Sequence, residues 1–222
     1  MNRRLRIALI SVAALVVVAL IGGYLALRLT GDDAPPPPTL SGAPASGGAD
    51  PGGAEGWRPL PGQGSFVGYR VNEEYLGIGV RTAVGRTSAV TGTVTLDGDR
   101  VQSADLTADM RRLRSDQARR DDTLRFRGIE TDRFQTSRFT LTAPVALSAR
   151  ERHATGTLLL HGRRAAIDVT VSGQRVAGDR LELVGSAPIQ FARFGIEPPS
   201  VAGLVSVRSR GLLEFRLVLG RG

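Results

Sequence analysis

Few side chains in this sequence are able to do chemistry, and their types narrow what that chemistry is. The chain has no cysteine. That removes thiol nucleophiles, zinc–thiolate sites and iron–sulfur clusters together, and leaves no disulfide framework. Two histidines, His153 and His161, remain for general-base or metal work. His161 stands at a strand end before Gly162-Arg163 with no second ligand or nucleophile in view. A turn-stabilising hydrogen bond is therefore its expected role. His153 flanks Arg150, Glu151 and Arg152 in a hairpin and is expected to be solvated. No nucleophile elbow, phosphate loop, dinucleotide fingerprint or metal-ligand cluster is present. The sequence predicts a protein that is not an enzyme and requires no cofactor and no metal.

The remaining concentration of charge is Arg111, Arg112, Arg114, Arg119, Arg120, Arg125 and Arg127, around a short helical pattern. Such a cluster is most often a solvated face. Asp121 and Asp122 beside Arg119 and Arg120 predict an ion-pair network that fixes the helix, and Arg120 and Asp121 are assigned to it. Gln117-Ala118-Arg119-Arg120 and Leu124 place that helix within Ser115–Arg127, with Ser115 or Asp116 as N-cap.

Everything else from Trp57 onward reads as strands, in short alternating runs separated by turn residues. Val67, Tyr69 and Val71 share a face, as do Val90, Gly92, Val94 and Leu96. Asp97-Gly98-Asp99 then turns the chain, and Val101–Met110 aligns Ala104, Leu106, Ala108 and Met110. Phe139–Leu147 aligns Phe139, Leu141, Ala143, Val145 and Leu147. The runs Ala154–Gly162, Ala165–Gly173 and Arg180–Ile189 follow, with Gly178-Asp179 as a turn. The last strand, Gly211–Leu219, presents Leu213, Phe215, Leu217 and Leu219. Regular short strands with glycine turns predict a sandwich or an antiparallel barrel, and the period alone does not separate them.

Ahead of this domain, Ile7–Leu27 carries no charge, with Arg3, Arg4 and Arg6 before it and Arg28 behind. A helix of that length spans roughly 30 Å, a bilayer's hydrocarbon core. The arginine asymmetry puts the N-terminus in the cytoplasm and the rest outside. A cleaved signal peptide is the alternative. The length of the run and the poor cleavage site at Leu25–Leu29 favour an uncleaved single-pass anchor, and the missing cysteine excludes a lipoprotein anchor. Residues 31–56, rich in Pro, Gly and Ala, predict a disordered tether with a reach of roughly 30 Å. The expected organisation is thus a transmembrane helix in 1–30, a linker in 31–56 and one folded domain in 57–222. The formal charge of +8 belongs to the domain, because the charges in 1–56 cancel. Export argues against nucleic acid and directs the arginines toward lipid head groups, wall polymers or a phosphorylated ligand. Oligomeric state is not legible.

Four motifs resemble the YceI-like family. Gly156-Thr157-Leu158-Leu159-Leu160-His161-Gly162 is similar to its G-x-L-T-L-H-G strand and turn, and Arg120-Asp121-Asp122-Thr123-Leu124 to its R-D-x-H-L segment. Ser137-Arg138-Phe139-Thr140 is similar to the start of its P-x-x-x-F strand, and Arg193-Phe194-Gly195-Ile196 to its late F-G element. Order and spacing agree across most of Trp57–Leu219. Thr123 and Leu159 depart from the family's His and Thr, so no role of that His is carried over.

The resemblance implies an all-β fold, an extended antiparallel lipocalin-like barrel of about eight strands with one short helix. It also implies a long apolar ligand, a polyisoprenoid or an isoprenoid quinone. Small inward residues support a cavity independently, since unfilled volume destabilises unless occupied. The candidate lining residues are Val67, Tyr69, Val90, Val94, Leu106, Met110, Phe139, Leu141, Leu158, Leu160, Phe194 and Phe215. Arg119 and Arg125 are candidates for a head group at the barrel mouth. The expected function is a membrane-tethered extracytoplasmic carrier or store of an isoprenoid-type lipid. The alternative is an envelope module that binds an anionic wall polymer or a partner protein through its arginines, which predicts a filled barrel.

Overall fold

The computed structural model describes residues 34–41, 54–77, 79–176, 179–201 and 205–222. The predicted anchor, residues 42–53 of the linker and Gly178 of the predicted turn lie outside the described residues. Among the described residues no helix is long and apolar enough to cross a membrane.

The alternating runs become strands β1 (Glu55–Pro59), β2 (Phe66–Tyr75), β3 (Gly79–Thr87), β4 (Val90–Asp97), β5 (Arg100–Asp109) and β6 (Arg114–Ser115). Helix α1 (Ala118–Phe126) follows. Then come β7 (Thr136–Leu141), β8 (Val145–Ala146), β9 (Arg152–Leu160), β10 (Arg163–Val176), β11 (Arg180–Gln190), β12 (Ser200–Val201), β13 (Val205–Val207) and β14 (Arg210–Arg221). Eight of these pair in the order β1-β4-β5-β7-β9-β10-β11-β14, and β14 pairs back with β1. The sheet closes on itself as an antiparallel barrel, which leaves no free edge in that ring.

The long last strand has two neighbours along one edge. Leu219–Arg221 pairs with Trp57–Pro59 of β1, and Leu212–Arg216 pairs with Phe66–Arg70 of β2. Beyond β1, therefore, the wall continues through the β2–β3 hairpin and the short β6. Strand β3 carries no clean alternation, since Arg81, Gly85 and Arg86 interrupt its apolar residues, and sequence periodicity passes over it.

At the β1 end, Trp57, Leu96, Leu181, Leu217 and Leu219 are fully buried against one another. A second cluster holds Ile167, Ile189, Phe194 and Ile196. The third, smaller cluster docks Leu124 of α1 on Met110 and Leu113. One apolar side chain is thus enough to seat a helix whose other faces are charged.

Two local expectations are corrected. Neither Ser115 nor Asp116 caps helix α1: Gln117, one residue beyond Asp116, occupies the N-cap position and gives no side-chain cap bond. Ser115 is instead held by Asp121, whose Oδ1 accepts from the Ser115 amide (2.9 Å) and hydroxyl (2.7 Å). The second correction concerns the linker, because Ala34–Ser41 lies against the outer face of the barrel. The Pro36 carbonyl accepts from Arg86 Nη2 at 3.2 Å, and the Pro35 carbonyl accepts from Arg70. The Ser41 amide and hydroxyl each donate to Glu182 at 2.9 Å.

This strap sits over two carboxylates that project outward yet are buried, Glu182 and Glu214. Glu214 accepts from Arg70 Nε at 3.0 Å and Arg86 Nη2 at 2.7 Å, and Glu182 accepts from Arg216 Nε at 2.8 Å. A buried carboxylate persists only when paired in this way. Proline carbonyls, which no strand pairing claims, complete the shell.

Candidate functional site

The barrel interior is not filled. A cavity of about 120 Å³ lies above the Trp57 cluster, and a second of about 130 Å³ reaches toward α1. Each is roughly ten times the volume that holds one water. Val67, Ser137 and Leu213 belong to the walls of both, so the two adjoin as compartments of the barrel interior.

Most of the predicted lining residues face this space. Val67, Val90, Val94, Leu106, Phe139, Leu141, Leu158 and Phe215 line the first compartment. Tyr69, Met110 and Leu160 line the second, with Val67 shared. Phe194 does not belong: it is buried in the packed cluster with Ile167 and Ile189, on a 3-10 turn that ends in left-handed Gly195. Arg119 and Arg125, the candidates for the mouth, lie on α1. Both are exposed and neither lines the lumen, and Arg125 comes no nearer an acid than 4.0 Å from Asp122. Arg120, between them on the inward side of α1, is the arginine that reaches the wall.

The lumen stays open for a reason that composition conceals. Three wall aromatics lie across glycines of neighbouring strands. A Cβ built on Gly85 would meet the Tyr69 ring at 2.4 Å, one on Gly156 the Phe139 ring at 2.2 Å, and one on Gly185 the Phe215 ring at 2.6 Å. Each ring occupies the place of a missing side chain and lies along the wall. These glycines are therefore not themselves the unfilled volume. They let large residues be accommodated without filling the bore.

One end of the second compartment is polar. Glu73 on β2 accepts from Arg120 Nε at 2.9 Å and Nη2 at 3.0 Å, and from the Tyr75 hydroxyl at 2.8 Å. Arg120 Nη1 also contacts Asp116 and donates to Ser115 Oγ at 3.3 Å. This is the ion-pair network expected of Arg120, but its main partner is Glu73, which no sequence motif marks. Burial pushes the Tyr69 phenol well above its ordinary value; Arg120 opposes the shift, and Asp121, Glu73 and Asp116 reinforce it. The Tyr75 phenol is raised as well, by burial and then by its hydrogen bond to Glu73.

His161 takes a structural place. With Gly162 it forms the two-residue turn between β9 and β10, at φ 51° and 71°, as a type I′ hairpin demands. Its Nδ1 donates to the Phe194 carbonyl at 3.0 Å, and Nε2 lies 3.3 Å from Glu130 Oε1. The Phe134 ring packs against the imidazole. Thr123, at the family's histidine position, donates its hydroxyl back to the Arg119 carbonyl at 2.9 Å. His153 is exposed on β9. Among the described residues no group of His, Asp and Glu is placed to hold a metal ion.

An eight-stranded antiparallel barrel around an apolar lumen, with polar side chains gathered at one end, has the architecture of a ligand-holding barrel. Residues 60–219 match the YceI-like domain, and the chain belongs to that family. No match was found among curated proteins. Among solved structures, a polyisoprenoid-binding domain from Saccharophagus degradans, implicated in plant cell wall breakdown, superposes with a TM-score of 0.58 at 18% identity. That match covers 75% of this chain and 98% of the other. BcnA of Burkholderia cenocepacia gives a TM-score of 0.55 at 16% identity, over 68% of this chain and 95% of its own. At these identities the likeness is one of fold.

Proposed function

We propose that the barrel holds an apolar isoprenoid-type lipid, a polyisoprenoid or an isoprenoid quinone, for carriage or storage. In this reading the protein is tethered to the cytoplasmic membrane by Ile7–Leu27, with the barrel outside the cytoplasm. The observation that carries the proposal is the two-compartment lumen, whose walls are almost wholly aliphatic and aromatic. Family membership and the polyisoprenoid-binding relative support the same ligand class.

Burial of a CH₂ group contributes about 0.8 kcal/mol, so one five-carbon isoprene unit contributes about 4 kcal/mol before ordering costs. Affinity then needs few specific contacts. Tethering keeps the binding site close to a lipid that is concentrated in the bilayer. The alternative, an envelope interaction module, predicts a filled interior, and the open lumen counts against it.

Organic-solvent extraction of the purified full chain, followed by mass spectrometry, tests the proposal. An isoprenoid-type lipid is expected in the extract, together with uptake of added quinone or polyprenol. Absence of both refutes lipid carriage.

A further inference from the structure

We propose that Tyr69 donates the hydrogen bond that fixes the lipid head group, and that this site takes an uncharged oxygen acceptor, a carbonyl or an alcohol, in preference to a phosphate. The inference rests on the lipid-carrier reading and specifies its polar end.

Tyr69 stands on the lumen side of β2, and its ring lies across Gly85. Its hydroxyl is shielded from solvent and has no hydrogen-bond partner among the described residues. A buried hydroxyl left unpaired is unfavourable. The neighbouring groups are already engaged. Glu73 spends its carboxylate on Arg120 and Tyr75, and Arg120 spends its guanidinium on Glu73, Asp116 and Ser115. What is missing is an acceptor, and Tyr69 belongs to the wall of the second compartment, from which a ligand oxygen can reach it. Most of the other wall residues there are apolar, among them Met110, Leu124, Ile129 and Leu160. A long apolar ligand with an oxygen at its end meets both requirements at once.

The charge balance decides which oxygen. The fields that reach the hydroxyl come from one guanidinium and three carboxylates: Arg120 against Glu73, Asp116 and Asp121. A phosphate would add negative charge to a region where carboxylates outnumber the guanidinium, and that guanidinium is already paired. A quinone carbonyl or an alcohol adds no charge and needs only one donor. A phenol keeps its proton at neutral pH, and burial, which raises Tyr69 further, keeps it a donor.

The test uses the full chain in detergent micelles and calorimetric titration with four probes of equal prenyl-chain length: a benzoquinone, an alcohol, a monophosphate and a hydrocarbon. Quinone and alcohol are expected to bind at least about tenfold more tightly than the monophosphate, which corresponds to one hydrogen bond plus the charge penalty. Tyr69→Phe is expected to weaken quinone binding about three- to tenfold and to leave hydrocarbon binding unchanged. Infrared spectra of quinone labelled with ¹³C at the carbonyl should show a downshifted stretch in wild type and none in Tyr69→Phe.

Equal or tighter binding of the monophosphate, or no effect of Tyr69→Phe on the quinone, overturns the inference while lipid carriage stands. Failure of every probe to bind, the hydrocarbon included, overturns lipid carriage itself and the inference with it. Tyr69→Phe should melt no lower than wild type, because the lost hydroxyl has no protein partner. A lower melting temperature would mean the hydroxyl is satisfied within the protein, and would also overturn the assignment.

Discussion

Partly filling the lumen should move stability and lipid binding in opposite directions, and Ala104→Leu is the cleanest way to see it. Ala104 is buried on β5 and lines the first compartment. The substitution adds three carbons to a space of about 120 Å³, enough to accept them. At about 0.8 kcal/mol per buried carbon the gain is about 2.4 kcal/mol, and ordering a leucine side chain takes back roughly 0.5–1 kcal/mol. A net stabilisation of about 1.5 kcal/mol is expected for the ligand-free protein. The same three carbons exclude ligand, and the loss of a similar contact energy weakens lipid binding by about sixtyfold. Trp57, the sole tryptophan and fully buried, reports urea unfolding by its emission. Lipid binding is measured on the same preparation. A variant destabilised by more than about 1 kcal/mol that still binds lipid normally would show that this part of the lumen is neither open nor occupied by ligand.

Glu214→Gln removes the charge shared by Arg70 and Arg86 beneath the strap, and a loss of about 2–3 kcal/mol in urea unfolding is expected because two shielded guanidinium groups lose their counter-ion. His161→Asn keeps a residue that tolerates positive φ but loses the contacts to Phe194 and Glu130, for about 1 kcal/mol in thermal unfolding. His161→Val should cost more, since a β-branched residue resists that φ. Asp105 and Asp109 are held below the ordinary 3.8, chiefly by side-chain hydrogen bonds from Arg138 and Arg111. A lowered folded-state pKa stabilises fully above the unfolded value and is lost as pH falls through the folded one. Acid titration of stability should thus show a decline below about pH 4 that Asp105→Asn and Asp109→Asn reduce. It should amount to only a few tenths of a kcal/mol, because both pairs are solvent-screened.

The residues explain how far the sequence could be read. The inward faces of β4, β5, β7 and β14 follow strict alternation, so Val94, Leu106, Phe139 and Phe215 announce themselves. The four family motifs then favour a barrel over a sandwich, which alternation alone leaves open. The place of Phe194 is not legible in the sequence, because a 3-10 turn carries neither strand nor helix period and an aromatic near a glycine reads the same in a core or a cavity. The ion-pair role of Arg120 is legible beside Asp121, but its inward direction and its partner Glu73 are not. Which arginine turns inward depends on the rotation of α1, and that is set by Leu124 docking on Met110 and Leu113. Glu73, Glu182 and Glu214 give no local signal at all. Their burial depends on partners far along the chain, among them a proline segment whose composition reads as disorder.

The aromatic rings laid across Gly85, Gly156 and Gly185 have a consequence for how such a barrel changes its capacity. Each glycine acts as a seat for one ring, and any larger residue there would lift the ring off the wall and into the bore. The internal diameter is thereby governed at three points by single residues that carry no side chain. At Gly85, where the Tyr69 ring alone stands in the way, a small change would narrow the lumen and leave the strand pairings as they are, whereas a side chain at Gly156 or Gly185 would also meet the Thr140 or Thr170 carbonyl and force the backbone to shift. Girth is thus adjustable apart from the sheet at one seat and tied to strand pairing at the other two, so the barrel's capacity is free to vary on the β2–β3 side and fixed elsewhere.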